Sequence, residues 1–83
     1  MYELVSFVSR GKIRQKILLT LIKPMTPTEL SKLIKKHRST ISRSLISLEK
    51  KELVLCITPK ESMGRYYEIT TKGKNVLKKI GVN

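Results

Sequence analysis

Residues 38–47 read Arg-Ser-Thr-Ile-Ser-Arg-Ser-Leu-Ile-Ser. Arginine presents a planar fork of donors that matches phosphate oxygens or the O6/N7 edge of guanine. Arg43 lies mid-stretch and is the best candidate for reading a base. Arg38 comes before the first base-facing turn, so phosphate is its expected partner. Ser39, Thr40, Ser42 and Ser47 are small and polar. They let a backbone approach closely, and the hydroxyls can bind phosphate. The same residue types also cap helices, which is the blander use of this cluster. Lys35 and Lys36 come just before it and are expected either to touch phosphate or to be merely exposed. Lys60 and Arg65 flank a later loop. Arg14, between Lys12 and Lys16, could meet a flanking backbone or keep one helix face wet.

The overall balance supports a polyanionic partner. Eighteen Lys/Arg stand against six Asp/Glu, a net charge of +12, and no acidic residue is an aspartate. Such a field steers encounter with a polyanion and allows several phosphates to be neutralised. A basic protein resting on an anionic membrane is the competing explanation; the charge accompanies an ordered motif, which favours nucleic acid. Catalysis finds no support. There is one histidine, His37, and no phosphate-cradling glycine pattern, so a nucleophile, base and orienting group have nothing to be built from. With one cysteine, Cys56, neither an intrachain disulfide nor a Cys/His zinc cluster is available. Cys56 reads as a small hydrophobe. No cofactor or metal is expected. Apolar stretches such as Ile17–Leu19 are far short of a membrane span, and no secretory signal is read. The expected setting is reducing and cytoplasmic, without membrane insertion.

Eighty-three residues are expected to make one domain. Residues 1–9 read as an N-terminal arm, helix or strand, and residues 10–81 as the domain proper. Ile13, Ile17, Leu18 and Leu21 make one helical face over residues 12–22, closed by Pro24. Thr26-Pro27-Thr28-Glu29 is a capping box with proline at the first helical position. It opens a short helix with the stripe Leu30, Leu33 and Ile34, ending near Lys35. A further helix spans Arg38 to about Lys51, with Ile41, Leu45 and Leu48 inward and Ser39, Arg43, Ser47 and Lys50 outward. Ser42 and Ile46 fall at its margins. Leu53–Ile57 is β-prone, with Leu53, Leu55 and Ile57 expected on one face. Arg65–Ile69 is the return strand, with Tyr67 and Ile69 on one side and Tyr66 and Glu68 on the other. Thr70 or Thr71 caps a last helix bearing Val76, Leu77 and Ile80, stopped by Gly81. The order is helix, helix, helix, strand, strand, helix: an α+β chain with a helix-turn-helix connection and a two-stranded hairpin.

The run from Thr28 to Val54 resembles the helix-turn-helix of MarR-like and ArsR-like regulators, and Gly64–Gly73 is similar to their second wing strand and the start of the closing helix. The resemblance implies a winged helix-turn-helix fold. It also implies a homodimeric transcription regulator that binds double-stranded DNA sequence-specifically, with repression as the default mode. Arg38, Ser39, Thr40, Ser42 and Arg43 match recognition-helix positions, Arg65 the basic wing residue, and Ile41, Leu45, Leu48 and Leu53 the supporting core. Glu29, Leu30 and Leu33 match the supporting helix. Lys35 and Glu52 stand where such proteins often carry glycine, and His37 where Ser or Thr caps. The paired cysteines of metal sensors are absent. The apolar ends, Leu4, Val5, Phe7 and Val8 with Val76, Leu77 and Ile80, suggest dimerisation through the N-terminal segment and the C-terminal helix. Two alternatives remain: an architectural nucleic-acid binder of low specificity, and a winged-helix protein-interaction module.

Overall fold

The computed structural model describes residues 2–58 and 65–81. Along them run α1 (Tyr2–Ser9), α2 (Lys12–Thr20), α3 (Pro27–Ile34), α4 (Arg38–Lys50), β1 (Val54–Cys56), β2 (Tyr67–Ile69) and α5 (Thr71–Ile80). This is the expected α+β order with one more helix, because residues 2–9 fold as α1. They lie against α2 and α5 with Val8 fully buried and Leu4, Val5 and Phe7 partly so.

Short-range hydrogen bonds set several of the helix ends. Thr26 accepts a hydrogen bond from the Glu29 N–H at 3.1 Å, and Glu29 accepts from the Thr26 N–H at 3.0 Å. That reciprocal pair satisfies two of the donors that open α3. Thr70 caps α5 by accepting from the Gly73 N–H at 3.0 Å. At the far ends of α3 and α4 the chain turns through the left-handed region, at Lys35 and at Glu52, each with φ 63°. After α4, Leu53 N–H bonds Leu48 C=O at 3.0 Å and Glu52 N–H bonds Glu49 C=O at 2.9 Å. This is the Schellman pattern, with Leu53 packed back over Leu48, both fully buried. The two positions where the resembled regulators carry glycine keep glycine's backbone angle here with other residues.

One core runs through all the helices and both strands. Ile17, Leu18 and Leu21 from α2 and its end meet Leu30 of α3, Ile41, Leu45 and Leu48 of α4, and Val76 and Leu77 of α5. The three α4 residues are completely excluded from solvent, as their spacing requires. Leu33 departs from expectation and is 61% exposed. Leu30 and Ile34, four apart, share the inward face of the short α3, and Leu33 falls to its side.

The strands pair antiparallel with Val54 opposite Ile69, Leu55 opposite Glu68 and Cys56 opposite Tyr67. Residues opposite one another share a face, so Val54, Cys56, Tyr67 and Ile69 point to the core. The expected Leu53-Leu55-Ile57 face is therefore corrected. Leu55 and Ile57 are 50% and 40% exposed, and Leu53 is buried from within the turn that ends α4, out of phase with β1. Met25 forms a bridge to Tyr67 on its other side, with N–H···O distances of 3.0 and 2.8 Å. Met25 stands between Pro24 and Pro27, and the chain there is too short to read as a strand.

Candidate nucleic-acid interface

At roughly 100° per residue, Ser39, Arg43, Ile46 and Lys50 fall within about 60° of one another on α4, opposite the buried stripe. All four are exposed. Arg38 and Ser42 lie down one flank of this crest, Thr40 and Ser47 down the other. Arg38 and Thr40 are exposed, and Ser42 and Ser47 are half-buried. The crest therefore carries Ser39 and Arg43 as expected. It also carries Ile46 and Lys50, which their residue types and spacing did not mark as contacts. The outward position of Lys50 was legible in the helical period; Ile46, expected at the margin of that face, stands on it instead and is 50% exposed.

The N-terminus of α4 differs from those of α3 and α5. His37 occupies the cap position with φ −59° and ψ 142°, and its side chain makes no capping bond. Among the described residues the cap side chain thus leaves the first backbone donors of α4 open to solvent or a ligand. They lie beside Ser39 and Thr40, where the helix dipole favours negative charge. Lys35 and Lys36 are exposed in the turn before it. With Ile13, Ser31, Lys32, His37 and Thr40 they line a wide, open concavity of about 740 Å³. From Leu30 through Leu48 the chain bears Lys32, Lys35, Lys36, Arg38 and Arg43 and no acidic residue.

Two other expected cations have partners inside the protein. Arg14 lies over the Phe7 ring, 3.9 Å from its centroid, and donates from Nη1 to the Phe7 carbonyl at 2.7 Å. It fastens α1 to α2, and neither of these contacts involves α4. Arg65, exposed just before β2, is hydrogen-bonded to the Tyr67 hydroxyl. Burial, with smaller contributions from Cys56 and Glu49, pushes the Tyr67 phenol above its ordinary value, and Arg65 opposes this. Lys60, expected at the wing, lies outside the described residues. The base of the wing is closed by Tyr66 N–H donating to Thr58 Oγ1 at 2.9 Å and Ile57 N–H to Tyr66 C=O at 2.9 Å.

Among the described residues no group of three or more His, Cys, Asp or Glu side chains is placed to hold a metal ion. No helix among them is long and apolar enough to cross a membrane.

No protein-family model and no curated protein matches the chain. Among solved structures it is similar to the crystal structure of a MarR family transcription regulator, with a TM-score of 0.75 and 22% identity. The likeness covers 96% of this chain and 60% of that one. The chain has the winged-helix fold. Its α3 and α4 form the helix-turn-helix of that fold, and the β1–β2 hairpin is the wing. The chain spans about 60% of the length of the regulator it matches, and at this identity the likeness concerns the fold.

Proposed function

We propose that this winged-helix chain is a sequence-specific double-stranded DNA-binding transcription regulator that acts as a homodimer. The exposed crest of α4, with Arg43 at its middle and an uncapped N-terminus beside it, is the observation that carries the reading. In this mechanism the lysines and arginines gather the duplex by its phosphates, and α4 lies in the major groove. Arg43 reads a base edge, while Arg38, Ser39, Thr40, Ser42 and the open N–H groups hold phosphate. Lys35, Lys36 and Ser47 border the same surface. The wing, with Lys60 and Arg65, meets the flanking backbone. Arg14 acts within the protein, as the fastening of α1. Occupying a promoter in this way represses transcription by exclusion of other factors.

The dimer reading is supported by apolar groups that the protein's own core leaves outside. Val8, Val76 and Leu77 are consumed by the protein's own core, so the interface falls to apolar groups that remain outside, Tyr2 at 85% exposure among them. Selection of bound sequences from a random duplex pool, at stated salt, tests both parts. An enriched palindrome is expected. Salt-dependent binding without enrichment would instead identify an architectural binder, and absence of DNA binding a protein-interaction module.

A further inference from the structure

Ile46 is the apolar residue on the crest of α4. It is half exposed on the crest of a helix whose inward face is already complete with Ile41, Leu45 and Leu48. Its neighbours on that crest are Ser39, Arg43 and Lys50, all polar and all exposed. A β-branched residue is also a poorer helix former than the long polar residues that usually occupy such a position. Its stiffness about χ1 holds two carbon branches in a fixed outward direction.

We infer that Ile46 is a specificity-determining residue that reads the 5-methyl group of a thymine in the major groove. The inference rests on the proposed placement of α4 in that groove. Of the four bases only thymine offers an apolar group on its major-groove edge, and apolar side chains are its natural partners. Ile46 lies three residues beyond Arg43, about 4.5 Å along the helix axis, against roughly 3.4 Å per base-pair step. The thymine is therefore expected one or two base pairs from the pair that Arg43 reads. The polar crest around it supplies the donors, and Ile46 supplies discrimination that donors cannot, since cytosine carries no methyl at the same place.

The test uses the sequence enriched from the random pool. Each thymine in turn is replaced by deoxyuridine, which removes only the methyl group, and affinity is measured with the unaltered protein and with Ile46→Ala. Burial of one methyl predicts a loss of about fourfold at a single thymine near the Arg43-dependent pair. With Ile46→Ala the same replacement should have no effect. Thermal unfolding of Ile46→Ala should match that of the parent, because the side chain is not in the core. An enriched site whose thymines all tolerate uridine overturns the role of Ile46 while leaving DNA reading intact. Sensitivity that persists in Ile46→Ala overturns that role equally. Failure to enrich any site overturns both.

Discussion

Arg43 and Arg14 are the same residue type on the same basic chain, and the structure places them in different surroundings. Arg14 is held by a ring and a carbonyl of α1, whereas Arg43 stands clear on the crest of α4. Replacing Arg43 by Ala should remove preference at one base pair, a loss of about 1–3 kcal/mol there, with other positions unchanged in a competition titration. A uniform loss over all sequences would make it a phosphate contact. Tyr67 gives a second measurement at this scale. Its phenol is raised above 10.0 in the folded protein. In the alkaline range above that value the unfolded chain has released the proton and the folded chain retains it, so stability falls as pH rises. Below it the tyrosine is neutral in both states and adds no slope. Denaturation at stepped pH should therefore show a shallower alkaline decline for Tyr67→Phe than for the parent. Near neutrality the variant should lose about 1 kcal/mol with the bond to Arg65. Neither the partner of Arg14 nor that of Tyr67 was legible in the sequence. Both depend on how the chain packs in space, and no spacing rule encodes them.

At the scale of elements, the helices were readable because their signals are local. The Thr26–Glu29 box, the Ile41-Leu45-Leu48 stripe and the Thr70 cap each lie within a turn or three of the chain, and each folds as its spacing predicts. The β1 register was not readable, since it is set by Tyr67 and Ile69 across the hairpin. The bridge of Met25 to Tyr67 was hidden for the same reason. The two left-handed turns provide a test of local strain. Lys35→Gly should stabilise the fold by up to about 1 kcal/mol, because a side chain is disfavoured at φ 63°. If Lys35 meets phosphate, the same change should also weaken DNA binding and lower the salt slope by about one. Stability and affinity would then move in opposite directions in one variant. Gly73 of α5 shows the converse. A Cβ there would strike the Leu53 carbonyl and come within 2.7 Å of Ile69 Cγ1. Helix propensity alone favours alanine by about 1 kcal/mol. Gly73→Ala should nevertheless cost about 1–3 kcal/mol in a urea melt, since a backbone carbonyl has nowhere to retreat.

Across the whole molecule, charge and fold were legible to different degrees. The +12 charge is plain in the composition. That residues 2–9 would fold into the body of the domain was not, because a short apolar run has no period of its own and is placed only by what it packs against. That placement bears on how α4 is held. Thr70 Oγ1 donates to the Glu52 carbonyl at 2.8 Å, Thr70 N–H to the Leu53 carbonyl at 3.1 Å, and Lys72 reaches the Glu52 carboxylate at 3.3 Å. Gly73 rests against the same Leu53 carbonyl, and Lys51, just past α4, stands 5.7 Å from the Phe7 ring of α1. The rear of α4 is thus anchored to both terminal helices at once, like a key fixed in its bow. Two such keys joined through their terminal helices would have almost no play in their separation. Inserting a single base pair between the two halves of a selected site would shift one half by roughly 3.4 Å and about a tenth of a turn. The pair should fail to follow, and affinity should drop to that of a half-site on its own. A mobility-shift titration of the lengthened duplex reads this directly, and undiminished binding would mean that the joint has slack.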